Sequence, residues 1–291
     1  MSLCQDRVVI ITGAGGGLGR AYALAFAAAG AKVLVNDINL PAAEAVAGEI
    51  RANGGQAAAN SGDITDYAAS AGIVRAAIEQ FGDLHVVVNN AGICRDRMFA
   101  SLEEADWDAV MAVHLKGHFC IASHAVKYWR EQAKGGKTLQ ARIINTSSGA
   151  GLQGSIGQSN YAAAKGGIAA LTLVQAAELA RYGISANALA PAARTGMTEQ
   201  VFADTMKKPD EGFDYFAPEN VAPLLVWLGS EVSSGVTGRM FEVEGGKLSI
   251  ADGWRRGPQV DKGGCWQPEE IGAAVAQLVE QAVPAQKVYG T

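Results

Sequence analysis

Tyr161 and Lys165 stand four residues apart in the run Asn160-Tyr161-Ala162-Ala163-Ala164-Lys165, and Ser148 lies thirteen residues before the tyrosine. Positions four apart on a helix share a face, so phenol and ammonium would point into the same space. A phenol ordinarily titrates near ~10, too high for a base at neutral pH. A neighbouring ammonium favours the phenolate and lowers that value. The pair is suited to moving a proton at an oxygen atom, and the Ser148 hydroxyl is suited to holding that oxygen. Taken alone, a Tyr and a Lys at this spacing describe any solvated helix face.

The second chemical group is Thr12-Gly13-Ala14-Gly15-Gly16-Gly17-Leu18-Gly19, which follows an apolar run and precedes a helical pattern. In that context glycines let the backbone approach a pyrophosphate, whose charge then sits at the helix N-terminus. Asp37 closes the next apolar run, eighteen residues after Gly19. A carboxylate there accepts hydrogen bonds from both adenosine ribose hydroxyls and repels a 2′-phosphate. No Arg or Lys sits inside the glycine loop to offset that repulsion, so the cofactor expected is NAD. The bland alternative for Asp37 is a turn residue ahead of Asn39 and Pro41.

These residues need a scaffold. Short apolar runs at Arg7–Thr12, Lys32–Asn36, Leu84–Asn89, Arg142–Thr146, Ser185–Leu189 and Met240–Val243, with a weaker one at Gln56–Asn60, read as strands. Between them lie helical patterns at Arg20–Ala29, Pro41–Asn53, Tyr67–Phe81, Trp107–Gln132 and Tyr161–Tyr182. Continuous apolar strands separated by helices imply an α/β protein with a parallel sheet covered on both faces. The expected fold is a single Rossmann-type, doubly wound sheet of about seven strands, with its ligand crevice at the strands' carboxyl ends. Residues 1–250 would form the nucleotide-binding domain. Residues 251–291 would form an extension packed on that domain or at a subunit contact. Lys134-Gly135-Gly136-Lys137 reads as a surface turn, and both Lys207–Phe216 and Trp254–Gln267 as irregular segments. Gln267-Pro268-Glu269-Glu270 opens a final helix, with Pro and acids in its first turn.

Composition removes several classes. The chain has 291 residues, 49% of them hydrophobic, enough for one sizeable core. Its net charge of −5 argues against nucleic acid. No run approaches the ~20 apolar residues of a membrane span. The four cysteines, Cys4, Cys94, Cys120 and Cys265, form no close pair, so no metal site is expected and a cytoplasmic, reducing location is.

With these pieces in order, the chain resembles the short-chain dehydrogenase/reductase family over Arg7 to Gly246. The matching motifs are Thr12-Gly13 through Gly17-Leu18-Gly19, Asp63-Ile64, Asn89-Asn90-Ala91-Gly92, Ser148, and Tyr161 with Lys165. The resemblance implies that Tyr161 is the acid/base, that Lys165 binds the nicotinamide ribose and tunes Tyr161, and that Ser148 orients the substrate oxygen. It implies that Gly13, Gly17, Leu18 and Gly19 cradle the cofactor, that Asp63 and Ile64 flank its adenine, and that Asn90, Ala91 and Gly92 line it. Two departures stand out. The family's fourth catalytic residue is usually Asn, and His114 occupies that place. The usual Pro-Gly after the sixth strand is Pro191-Ala192, with Ala192, Ala193, Arg194 and Thr195 expected over the nicotinamide.

A narrower resemblance runs through Gly19 to Phe26, Val35-Asn36-Asp37, Arg95-Asp96-Arg97, Val113 to Gly117, Gly157-Gln158 and Val221-Ala222-Pro223. These segments are similar to the (3R)-hydroxyacyl-CoA dehydrogenase domain of peroxisomal multifunctional β-oxidation enzymes, some of which also oxidise steroid alcohols (the 17-beta-hydroxysteroid dehydrogenase-like group). No hydratase domain follows here, so a stand-alone dehydrogenase is expected. The implied substrate is a 3-hydroxyacyl-CoA, with a carrier-protein reductase, a free hydroxysteroid dehydrogenase or an NAD-sensing scaffold as alternatives. Arg95 and Arg97 could meet CoA phosphates or pair with nearby acids. Trp254, Arg255, Arg256 and Trp266 could line an acyl channel, though a subunit contact is favoured. The helix Tyr161–Tyr182 carries Leu171, Leu173, Val174 and Ala177, more apolar surface than one sheet face covers. A homodimer or homotetramer is expected.

Overall fold

Successive side chains along each apolar run serve two different cores. Val9, Ile11, Val33 and Val35 pack with Phe26, Val46 and Leu225. Val8, Ile10 and Leu34 face the other way, onto Ile73, Ile121 and Trp129. This is the two-residue period of a strand buried on both faces. Trp129 is among the largest fully buried side chains. Its indole N–H donates to the Leu84 carbonyl at 2.8 Å, so its area is buried without an orphaned donor. Burial of such a side chain is worth about 1.5–3 kcal/mol.

The computed structural model describes residues 2–196, 206–253, 255–284 and 286–289. Among these, eight strands form one sheet: β1 (Val8–Thr12), β2 (Lys32–Asn36), β3 (Gln56–Asn60), β4 (Val86–Asn89), β5 (Ala141–Thr146), β6 (Ile184–Ala192), β7 (Met240–Glu244) and β8 (Lys247–Ala251). The order is β3-β2-β1-β4-β5-β6-β7-β8. β1 pairs in parallel with both β2 and β4, so the chain reverses its direction of travel beside β1. That reversal opens a crevice over the carboxyl ends of β1 and β4.

The helices are α1 (Gly17–Ala28), α2 (Leu40–Ala52), α3 (Tyr67–Phe81), α4 (Glu104–Met111), α5 (Gly117–Lys134), α6 (Gly149–Gln153), α7 (Ser159–Leu179), α8 (Ala222–Gly229) and α9 (Pro268–Gln281). Local chemistry sets their ends. The Asp66 carboxylate accepts from the Ala69 amide at 2.7 Å to start α3, and Gly82, with φ +88°, stops it.

The expected doubly wound sheet is present, with two details added by the structure. The sheet has an eighth strand, because Gly245 and Gly246 turn the chain straight back and β8 pairs antiparallel with β7. The single helix expected over Trp107–Gln132 is divided by a wider π turn at Ala112–Lys116, where the Gly117 amide reaches back to the Ala112 carbonyl. Such turns cluster at functional sites, and His114 lies inside this one. Beyond β8, Trp254 lies outside the described residues. α9 leaves Ile271, Val275 and Val279 exposed. The tail then returns: the Ile156 amide donates to the Tyr289 carbonyl at 3.0 Å, and the Tyr289 amide donates to Gly154 at 3.2 Å.

Candidate active site

The turn leaving β1 can exist only without side chains. Gly13 adopts φ +61°, and a Cβ there would lie 2.7 Å from Ala91 Cα. A Cβ on Gly19 would overlap the Gly13 carbonyl oxygen. Thr12 and Asn90 lock this close approach. Thr12 Oγ1 accepts from the Asn90 and Ala91 amides at 3.0 and 3.1 Å, while the Asn90 side chain donates to the Thr12 and Gly13 carbonyls at 3.0 and 3.2 Å. At the end of β2 the Asp37 carboxylate is held by two amides, Gly15 on Oδ2 and Asn39 on Oδ1, both at 2.9 Å. Its remaining lone pairs stay open to a ligand. A bare loop, a helix N-terminus and an oriented carboxylate together fit a dinucleotide.

A cavity of about 330 Å³ joins this cradle to the proton-transfer residues. Gly13, Gly17, Leu18, Gly19, Asp37, Asn90, Ala91 and Gly92 line one side; His114, Ser148, Tyr161 and Lys165 line the other; Ala193 and Thr195 complete the wall. Three separate elements deliver the second side. Ser148 follows β5 and caps α6, accepting from the Ala150 amide at 3.2 Å. Tyr161 and Lys165 project from the start of α7. His114 comes from the π turn, with its ring edge-on to Tyr161 at 5.1 Å between centroids and 87° between planes.

Burial governs the charges. It pushes the Tyr161 phenol above its ordinary value, the nearby Cys94 thiol adds to that, and a hydrogen bond from Ser148 pulls the other way. It lowers Lys165 to about 7. The Lys165 ammonium lies 5.5 Å from the centre of the Tyr161 ring and donates to the Thr146 carbonyl at 2.6 Å. The expectation that this ammonium lowers Tyr161 therefore meets a stronger opposing effect: without a ligand, low polarizability around both groups disfavours phenolate and ammonium alike. His114 drops to about 3, through burial first and Lys165 second. Its imidazole is neutral across the working pH range; Nε2 lies 2.8 Å from the Ile93 carbonyl, to which it donates in one tautomer, and 3.0 Å from the Ile93 amide, from which it accepts in the other. That makes His114 a brace for the β4 loop. Cys94, raised to about 11 by burial, is a neutral thiol.

Six expected site residues do not reach the cavity wall. Asp63 accepts from the amide and hydroxyl of Thr65, each at 2.8 Å. Ile64 is buried, close against Gly117. Ala192 ends β6, alongside Glu244. Arg194 forms an ion pair with Asp214 and donates to the Met206 carbonyl at 2.7 Å. Arg97 is held by Asp106 at 2.6 Å. Arg95 is exposed and touches its neighbour, donating to the Cys94 carbonyl at 3.1 Å. Conversely, Gly16, Thr146, Ser147, Pro191 and Gly196 also line the cavity. Their positions at strand ends beside Gly17, Ser148 and Ala192 were the available signal. Thr12 and Asn160 act from behind, and Asn160 donates to the Arg95 carbonyl at 3.0 Å.

This crevice and constellation define an oxidoreductase acting on CH–OH groups, and the family comparison agrees. The short chain dehydrogenase family model matches residues 7–206, and the chain belongs to that family, whose members work with NAD or NADP. It is 40% identical over 99% of its length to the hydroxyacyl-CoA dehydrogenase ChsB1 of Mycobacterium tuberculosis, covering 93% of that protein. It is 43% identical to the mouse peroxisomal multifunctional enzyme type 2, over 83% of this chain but only 32% of that larger protein. A crystal structure of a short chain dehydrogenase from Mycobacterium avium superposes with a TM-score of 0.92 at 56% identity, covering 99% of this chain and 100% of the other. Among the described residues no helix is long and apolar enough to cross a membrane.

Proposed function

We propose that this protein is an NAD-dependent 3-hydroxyacyl-CoA dehydrogenase. The observation that carries the reaction is the shared cavity, in which Ser148, Tyr161 and Lys165 face the glycine cradle and Asp37. Support for the substrate comes from the near end-to-end similarity to a hydroxyacyl-CoA dehydrogenase. When bound, NAD supplies the ring that takes up hydride from the carbinol carbon. The chain's own residues do the rest. The α1 N-terminus and its glycines hold the pyrophosphate, and Asp37 accepts from the adenosine ribose hydroxyls. Ser148 donates a hydrogen bond to the substrate oxygen. Tyr161 takes the hydroxyl proton as the carbonyl forms, and returns it in the reverse reaction. Lys165 holds the nicotinamide ribose and offsets the charge on Tyr161.

Of the two arginines expected at the crevice mouth, Arg97 is engaged with Asp106, which leaves Arg95 as the contact for CoA phosphate. NAD reduction measured against 3-hydroxyacyl-CoA esters and free hydroxysteroids tests the reading. Turnover of the thioesters is expected, and activity confined to free steroids would sink it. Arg95→Ala should raise the KM for the CoA ester by about 2–5-fold, the reach of one exposed charge. A truncated thioester lacking the nucleotide should show no such change. All four cysteines are free thiols, which supports a cytoplasmic setting.

A homo-oligomer completes this reading. Leu173 and Val174 on α7 are 55% and 51% exposed. They stand near an apolar hollow of about 540 Å³ lined by Met111, Leu115, Phe119 and Leu171. Sedimentation should show a dimer or tetramer, and Leu173→Glu should shift it toward monomer, since removing a carboxylate from water at an apolar contact is costly. A monomeric wild type at micromolar concentration counts against it.

A further inference from the structure

We propose that the carboxyl-terminal tail is part of this site, with Tyr289 a positioning residue that acts on Ser148 through α6. The inference rests on reading Ser148 as the group that holds the substrate oxygen. α6 has only five residues, far below the ~12 that give a helix stability of its own. It must be clamped from outside, and two contacts clamp it. On one side Gly151 lies against α7: a Cβ there would come within 2.6 Å of the Lys165 carbonyl carbon and the Gly166 nitrogen. On the other side lies Tyr289. A Cβ on Gly149 would lie 2.6 Å from the Tyr289 hydroxyl and 3.0 Å from its ring. That hydroxyl also hydrogen-bonds the Gln153 side chain. Tyr289 thus spans α6 from its first residue to its last.

The backbone continues the clamp. Tyr289 pairs with the loop leaving α6 through Gly154 and Ile156. On its far edge that loop pairs with the β4 loop, where the Arg97 amide donates to the Gly157 carbonyl at 2.9 Å. Segments 96–97 and 288–289 therefore flank 154–158, the stretch of chain that joins Ser148 to Tyr161 in sequence. The hydrogen bonds and close contacts of Tyr289 fall on residues 149–156, the β7 acids Glu242 and Glu244 act on it electrostatically, and the residue is 47% exposed. It belongs to neither apolar core. Loss of the tail should leave the fold and the cradle intact while releasing the helix that Ser148 begins. A reactive group displaced by about 1 Å can cost up to ~10²-fold in rate.

The test uses the full chain, a chain ending at Pro284, Tyr289→Ala and Tyr289→Phe. Hydrogen exchange needs no substrate. Without the tail, amides across residues 149–158 should exchange faster, with Gly13–Gly19 and the body of α7 unchanged. In the truncated chain and in Tyr289→Ala, kcat on a 3-hydroxyacyl-CoA should fall on the order of tenfold, with NADH affinity by fluorescence titration unchanged. Tyr289→Phe, which keeps the ring on Gly149, should retain most of the rate. Unchanged exchange over 149–158 overturns the proposal, as does faster exchange with an unaltered kcat. Faster exchange everywhere, with weakened NADH binding, would make the tail a general stabiliser and also overturns it. A wild type inactive on every thioester overturns the functional reading alone, while exchange still decides whether the tail holds the loop.

Discussion

Tyr161→Phe is expected to lower turnover by about 10²–10⁴-fold, the usual cost of losing a general acid/base, with little change in NAD affinity. The substitution keeps the ring, its edge-on contact with His114 and the packing beneath the Lys165 ammonium. It removes the hydroxyl through which the substrate proton passes. His114 cannot take over as a cation, because burial holds it at about 3. Lys165 is tied to the Thr146 carbonyl. The pH dependence has a defined sign. Oxidation consumes the phenolate, and burial raises the phenol, so the oxidation rate should climb as pH rises through neutrality. Reduction consumes the phenol, which the same burial keeps populated, so its rate should stay level over that range. Steady-state rates in both directions, with NADH titration as the control, check this. Full activity in the variant would dismiss Tyr161 as the proton carrier.

Asp37→Ala carries the second large effect. Charge-assisted hydrogen bonds are worth ~1.5–3 kcal/mol each, so loss of even one ribose contact should weaken NAD by roughly 10–100-fold. The Gly15 and Asn39 amides, now held at 2.9 Å by the same carboxylate, would lose their acceptor, and the cradle would loosen at its edge. NADP should bind better than it does to the wild type, because the charge opposing its 2′-phosphate is gone. Fluorescence titration of NADH and NADPH against both proteins measures the change. Equal use of the two nucleotides by the unaltered chain would show that Asp37 does not select between them.

Much of this architecture was legible in the residues because it rests on local pattern. The buried strands announce themselves as apolar runs, and Tyr67–Phe81 is bounded as expected because Asp66 and Gly82 carry its start and stop. The glycine loop is readable because close backbone approach forbids side chains at Gly13 and Gly19. Tyr161 and Lys165 share a cavity wall because their spacing matches a helical turn. The tail's return was not legible, since the Tyr289 contact joins residues more than a hundred positions apart through backbone groups that every residue carries. The hairpin to β8 had a local sign, the Gly245-Gly246 pair, but its pairing depends on β7 already being in place. The π turn at His114 depends on packing that no periodicity encodes. Charge partners followed the same division. Arg97 is expected as a ligand contact from its place after the fourth strand and Arg194 from the family resemblance, and the tertiary structure pairs them with Asp106 and Asp214. The sequence alone determined which backbone and side-chain chemistry is present. Only the folded chain decided which groups are desolvated together, because burial and pairing depend on surroundings assembled from distant segments.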